Sequence, residues 1–135
     1  MHRKTLQVRA PRRGLHEITE SVAGVVAESG VSEGMCNVFI QHTSASLTIQ
    51  ENADPTARAD LEAFFDRLVP RDEPWYRHTA EGPDDMPSHI KAVLSDTSLV
   101  VPVVSGRLAL GTWQGIYLFE HRDATSGRRI LVTVT

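Results

Sequence analysis

Residues 98–134 read SLVVPVVSGRLALGTWQGIYLFEHRDATSGRRILVTV, and this stretch decides the fold class. Ser98 to Val104 is dense in valine, whose branched Cβ suits a pleated strand better than a helix. Ser105-Gly106 supplies turn chemistry, so Arg107 to Leu110 is predicted to return as the second arm of a hairpin. Trp113 to Phe119 is apolar at successive positions, the pattern of a central strand covered on both faces, with Trp113 expected in the core. Ala124 to Gly127 then turns the chain into a last strand, Arg129 to Val134.

Upstream of this β-rich stretch, extended and helical patterns are interleaved. Thr5 to Arg9 alternates polar and apolar as a first strand. Ile18, Val22, Val25 and Val26 recur at helical spacing, and Gly30 is a C-terminal stop. Met35 to Gln41 and Ser46 to Ile49 read as extended. Asp54 then suits an N-cap and Pro55 the first helical position of a second helix. Ala57, Leu61, Phe64, Phe65 and Leu68 form its apolar stripe, and Pro70 ends it. A polar segment runs from Arg71 to Asp85. Pro87 opens a short third helix that is expected to bury Met86, Ile90, Val93 and Leu94. This order predicts one α+β domain over residues 1–135, with a largely antiparallel or mixed sheet and about three helices. So much strand in so short a chain leaves edges that barrel closure or oligomerisation must cover.

The chain has 135 residues, 41% hydrophobic and 23% charged, with formal net charge −3. That composition fits one globular domain and argues against a nucleic-acid or anionic-membrane binder, either of which needs a basic face. The single cysteine, Cys36, precludes an intrachain disulfide. Its position at the head of an apolar stretch makes it a buried side chain rather than a nucleophile. Met1 to Ala10 has no apolar run of the signal-peptide kind, and Leu99 to Val104 is too short to span a bilayer. A cytoplasmic protein is the expectation.

The polar residues gather in three places. Gln41-His42-Thr43-Ser44-Ala45-Ser46 puts an imidazole and three hydroxyls directly after an apolar strand, where site residues commonly project; His42 alone reads as a core histidine satisfied by one hydrogen bond. Tyr76 to His89 carries His78, Glu81, Asp84, Asp85 and His89 in one loop-to-helix segment. Singly, each acid reads as a helix-start residue. Together, imidazoles and carboxylates from these separated segments suit a divalent-metal site, with nitrogen ligands for zinc or oxygen ligands for magnesium. Glu51, Asn52 and Asp54 precede the second helix, whose free amides beside Thr43, Ser44 and Ser46 suit a phosphate. Gln114 follows the small-residue turn Leu110-Gly111-Thr112 and is placed to hydrogen-bond a substrate. No Walker loop, dinucleotide fingerprint, Cys-x-x-Cys pair or Gly-x-Ser-x-Gly elbow occurs.

Gln41 to Ser46, Glu51-Asn52 to Pro55, Glu81-Gly82 with Asp84 to Lys91, and Gly106 to Gly115 followed by Glu120-His121-Arg122 stand in one order along the chain. In these blocks the chain resembles the YjbQ family, a group often labelled secondary thiamine-phosphate synthases. The resemblance implies a compact α+β fold, assembly as a homotrimer, and a site that holds a metal or an anion. It implies His42, His78 and His89 as metal ligands. Thr43, Ser44, Ser46, Glu51, Asn52 and Gln114 are implied as pocket residues, and His42, Asp84, Asp85 and His89 as the groups that act on substrate. Where the family often has His-Asp before Glu-Gly, this chain has His78-Thr79, so no acid is implied there. The implied reaction joins an aminopyrimidine diphosphate to a thiazole phosphate with release of diphosphate. A non-catalytic trimer that binds a metal or phosphorylated metabolite, and a metal-dependent hydrolase of another small substrate, are the alternatives.

Overall fold

The computed structural model describes residues 1–135. Its elements follow in the order β1 (His2–Val8), β2 (Gly14–Glu17), α1 (Thr19–Ser29), β3 (Gly34–Ile40), β4 (Ala45–Glu51), α2 (Pro55–Leu68), α3 (Asp85–Val93), β5 (Ser98–Val104), β6 (Arg107–Leu108), β7 (Gln114–Glu120) and β8 (Arg128–Val134). The class is α+β with three helices. All strand pairs are antiparallel, which removes the mixed-sheet alternative.

Five strands form one sheet in the order β1-β8-β3-β5-β6, and three form a second in the order β2-β7-β4. Strand alternation sends Cys36, Val38 and Ile40 of β3, Val101 and Val103 of β5, and Ile130, Val132 and Val134 of β8 to one side of the large sheet. They meet Ala45 and Leu47 of β4 and Ile116 and Leu118 of β7 from the small sheet, with Val22, Val25 and Val26 of α1 closing the core. Helix α1 ends at Gly30 in the left-handed conformation, and β7 is the central, wholly covered strand that its composition predicts. Cys36 lies in this core, where burial pushes its thiol up to about 11, as suits a packing residue.

The structure departs from the sequence reading at five places. Strand β1 begins at His2 rather than Thr5, because it pairs with β8 along its whole length, from His2↔Val134 to Val8↔Arg128. Strand β2 has only four residues and shows no alternation long enough to read; it enters through Gly14 at φ 123°, a left-handed value that a side chain resists. Helix α2 has the expected cap, Asp54 accepting from the Thr56 amide, yet it buries no residue fully, and Phe64 and Leu68 are more than half exposed. Helix α3 is turned over. It buries Asp85, Pro87, Ser88 and Lys91, while Met86 and Ile90 are half-buried, Leu94 is exposed, and Val93 is 83% exposed. Trp113 is 64% exposed and so lies outside the core.

The two sheets are tied at one corner by charge. Glu120, at the end of β7, and Arg128, at the start of β8, are both essentially inaccessible to solvent. The Arg128 Nε donates to Glu120 Oε1 at 2.8 Å and its Nη2 to Oε2 at 2.5 Å. The same guanidinium donates to the Ser44 carbonyl at 3.3 Å, and Glu120 Oε2 accepts from the Arg122 amide at 3.2 Å. Removing one partner leaves a buried charge without compensation. Glu120→Gln is therefore expected to lower unfolding free energy by about 3–5 kcal/mol in urea titration. The double variant Glu120→Leu/Arg128→Met should recover a large part of that loss.

Candidate metal centre

Asp85 opens α3 and points its carboxylate inward, 4% exposed. Its Oδ2 lies 2.7 Å from His78 Nε2 and 3.1 Å from His89 Nε2, and its Oδ1 accepts from Arg122 Nη1 at 2.7 Å. His89 sits one turn along the same helix, so i,i+4 spacing stacks it over Asp85. His78 arrives from the preceding loop. The ligand atoms of His78, Asp85 and His89 all lie within 4.8 Å of one another.

The hydrogen bond on the far side of His89 fixes its chemistry. Its Nδ1 is 2.7 Å from the Thr43 carbonyl oxygen, which can only accept, so Nδ1 carries the proton. In the neutral ring Nε2 is then a bare lone pair, and it faces a carboxylate oxygen. Two acceptors at 3.1 Å require a positive charge between them or on the ring. A histidine whose outer nitrogen donates to a backbone carbonyl while the inner one faces a carboxylate is the arrangement that orients imidazole toward a metal.

Arg122 anchors the floor. Its Nε donates to Asp84 Oδ2 at 3.0 Å, its Nη1 to Asp85, and its Nη2 to the Glu81 carbonyl at 2.9 Å. Asp84 Oδ2 also accepts from the Asp123 amide at 2.9 Å. Burial works to raise the Asp84 carboxyl, but these bonds more than offset it and hold it below the ordinary carboxylate range. Burial likewise opposes ionisation of Asp85, and His78, His89 and Arg122 together overcome it. Both acids are carboxylates at neutral pH.

His42 is placed beside this group but not in it. Its Nε2 accepts from the Arg129 amide at 2.9 Å and its Nδ1 faces Arg128 Nη1 at 3.3 Å, so neither nitrogen is free to ligate. Of the implied ligands His42, His78 and His89, the structure brings His78 and His89 together, with Asp85 as the third member of the group in place of His42. Desolvation first, and then the Arg128 charge, lowers the His42 pKa, so its ring is neutral at pH 7. His42, Thr43 and His89 line one open cleft of about 420 Å³ with Ala92, Val93 and Thr97.

The remaining expected pocket residues do not gather there. Thr43 and Ser44 precede β4 and Ser46 lies at its start, whereas Glu51 and Asn52 lie at its far end, about 20 Å away at ~3.3 Å per residue. Gln114 pairs with Glu51 in register and spends its Oε1 on the Gly111 amide at 2.7 Å. Asn52 donates to Glu17 at 3.1 Å, and Glu51 accepts from the Asp54 amide at 3.2 Å. Ser46 is buried against His121, at 2.8 Å. Residue-by-residue reading of the sequence assigned no role to Arg122, Glu120, Arg128 or His121. The only signal was three consecutive polar residues, Glu120-His121-Arg122, breaking directly from an apolar strand.

The UPF0047 YjbQ-like family model matches residues 4–135. A UPF0047 protein of Synechocystis is 49% identical over 134 residues, covering 99% of this chain and 91% of that protein. The UPF0047 protein YjbQ of Escherichia coli O157:H7 is 50% identical, covering 98% and 96%. Among solved structures, an uncharacterized YjbQ/UPF0047 protein of Clostridium acetobutylicum is 38% identical with TM-score 0.86, covering all of both chains. A conserved hypothetical protein of Thermus thermophilus is 35% identical with TM-score 0.88, covering 98% and 99%.

His121 gives this region a pH signature. Burial first, and then the charges of Lys91, Arg128 and Arg13, holds its pKa at about 3, against an unfolded value near 6.5. As pH falls below 6.5 the unfolded chain takes up a proton that the folded chain refuses, so stability is lost between about pH 6.5 and pH 3. The slope from this one group is at most about 1.4 kcal/mol per pH unit. Denaturation midpoints across that range should fall less steeply for His121→Phe than for wild type.

Proposed function

This chain belongs to the UPF0047 YjbQ-like family, and from that premise we propose that it is a metal-assisted enzyme acting on small phosphorylated molecules. The reaction proposed is the joining of an aminopyrimidine diphosphate to a thiazole phosphate. The carrying observation is the convergence of His78, Asp85 and His89, with His89 Nε2 at 3.1 Å from the carboxylate oxygen and its Nδ1 on the Thr43 carbonyl. Two imidazole nitrogens and one carboxylate oxygen are the donor set of an open zinc-type site, whereas magnesium prefers oxygen and water. A divalent cation held there supplies positive charge to a departing diphosphate.

The protein's own groups divide the remaining work. Asp85 and the two imidazoles would hold the cation, and Arg122 takes Asp85 Oδ1, which leaves Oδ2 to the imidazoles. The Thr43 hydroxyl lines the adjoining cleft, where it can hydrogen-bond a phosphoryl oxygen without adding charge, and neutral His42, its nitrogens engaged by Arg128 and Arg129, forms part of the cleft wall. In the reaction the C–O bond to diphosphate breaks as the thiazole nitrogen forms the new C–N bond. Stabilising the leaving group is enough, so the buried thiol and the buried Ser46 need not act as nucleophiles.

A homotrimer is part of the same proposal. The outer face of the large sheet exposes Met35, Phe39, Val100 and Val104, which share one side by register: Met35 opposes Pro102, and Asn37 opposes Val100. Val93, on the cleft wall, and Leu94 beside it are also uncovered. Apolar surface of this extent favours burial against further copies of the chain, and covering Val93 would place the cleft at a subunit boundary. The absence of a disulfide suits a reducing cytoplasm, and no helix is long and apolar enough to cross a membrane.

Light scattering at micromolar concentration should give about three times 14.9 kDa; a monomer would refute the assembly. Zinc titration should saturate at one ion per chain, and Asp85→Asn should weaken it at least about tenfold. Affinity should fall as pH is lowered, because imidazole must be unprotonated to ligate. With both substrates and metal, thiamine fluorescence should report product from wild type and a loss of it in His89→Ala. Product undiminished in His89→Ala would mark a contaminant, and none from wild type would refute the reaction.

A further inference from the structure

His121 ends β7's excursion into the polar corner and is 2% exposed. A chain of hydroxyls fixes its tautomer. The Ser95 hydroxyl donates to the Lys91 carbonyl at 2.7 Å, which uses its only proton. Ser95 must therefore accept from Ser46, at 2.6 Å, and Ser46 in turn must accept from His121 Nε2, at 2.8 Å. The His121 ring is neutral, so Nδ1 is an unprotonated acceptor. That nitrogen is buried and has no protein hydrogen-bond partner. A buried acceptor left without a partner is destabilising, which marks it for a partner from outside the chain.

The ring lines a polar cavity of about 280 Å³ under the C-terminal end of α2 and beside α3. Lys91 reaches it from α3 with a side chain only 5% exposed, and its ammonium has a single carboxylate partner, Asp66 Oδ1 at 2.7 Å. Arg13 Nη1 shares that same oxygen at 3.0 Å. Arg71 is satisfied by both oxygens of Asp123, and Asp72 stands exposed at the rim. The inner wall thus offers unused Lys91 N–H donors next to one neutral acceptor, in a lining whose three cations, Arg13, Arg71 and Lys91, are balanced by the carboxylates of Asp66, Asp72 and Asp84.

We propose that this cavity is a subsite for a small molecule carrying an N–H or O–H donor, received by His121 Nδ1, and an anionic group, received by Lys91 and Arg13. It adjoins the metal centre without being part of it. Asp84 lines the cavity, Asp85 belongs to the metal group, and Arg122 bonds both. Naming the occupant rests on the reaction proposed above: an aminopyrimidine phosphate has the amine donor that His121 needs, and a thiazole phosphate has none.

The test is isothermal titration calorimetry with the aminopyrimidine monophosphate and, separately, the thiazole phosphate, on wild type, His121→Phe and Lys91→Met. Wild type should bind the aminopyrimidine compound more tightly than the thiazole. Each variant should weaken it by about tenfold, the loss of one hydrogen bond or one buried charge contact. In wild type the His121 Nδ1 resonance should move upfield on saturation, a reading that depends on no variant folding. No binding, an unmoved resonance, or equal affinity in folded variants would leave the cavity to solvent and overturn the subsite. Binding at His121 without product would sustain the subsite and refute the reaction. Product at the wild-type rate from folded His121→Phe would do the reverse.

Discussion

The buried pair of Glu120 and Arg128 is the constraint on which the rest of the molecule depends. Glu120 ends the central strand of the small sheet and Arg128 opens the last strand of the large one, so their two hydrogen bonds join the sheets at that corner. Ion pairs this deep gain little over a well-packed apolar pair, because desolvation offsets most of the Coulomb attraction. What the pair contributes here is position. Arg128 also holds the Ser44 carbonyl and faces His42, and Glu120 receives the Arg122 amide. One clamp therefore fixes the loop before β4 and the guanidinium beneath Asp85. Both walls of the cleft take their register from it.

Helix α3 shows what that arrangement demands of local structure. A short helix on a surface ordinarily turns its apolar stripe inward, yet α3 buries Asp85, Ser88 and Lys91 and exposes Val93. The inversion is compensated: Asp85 meets Arg122 and two imidazoles, Lys91 meets Asp66, and Ser88 Oγ donates to the Asp85 carbonyl. A local rule broken with full polar compensation is the mark of a site. The apolar residues displaced to the outside, Val93 above all, are left uncovered.

Most of the fold was legible because its signals are local. Valine-rich β5, the Ser105-Gly106 turn, the Asp54-Pro55 start of α2 and the left-handed Gly30 each carry their own instruction. What escaped depends on partners distant in sequence. Strand β2 exists because β7 offers a free edge, and β1 reaches His2 because β8 does. The resemblance implied His42, His78 and His89 as ligands and Asp85 as an acting group, and nothing local in the sequence could show that the Arg129 amide occupies a nitrogen of His42. Trp113 reads as core from its chemistry alone; it lies in a turn, where no second layer reaches it. Lys91 and His121 sit 30 positions apart, and nothing in either segment announces that they share a cavity.

Adjacent acids at a helix start illustrate the limit most sharply. As sequence, Asp84 and Asp85 are interchangeable: both are carboxylates beside the positive end of α3. In the fold their lone pairs are spent differently. Asp84 gives one oxygen to both the Arg122 Nε and the Asp123 amide, which makes it a brace between α3 and the segment after β7. Asp85 gives one oxygen to Arg122 and turns the other to His78 and His89. Arg122 is the reason for the division, since its fork reaches both carboxylates and leaves only one oxygen of Asp85 for a ligand. A residue pair that composition treats as one acidic patch thus becomes a structural brace and a partner of two imidazoles, and a single guanidinium, on a residue whose backbone amide donates to Glu120, decides which is which.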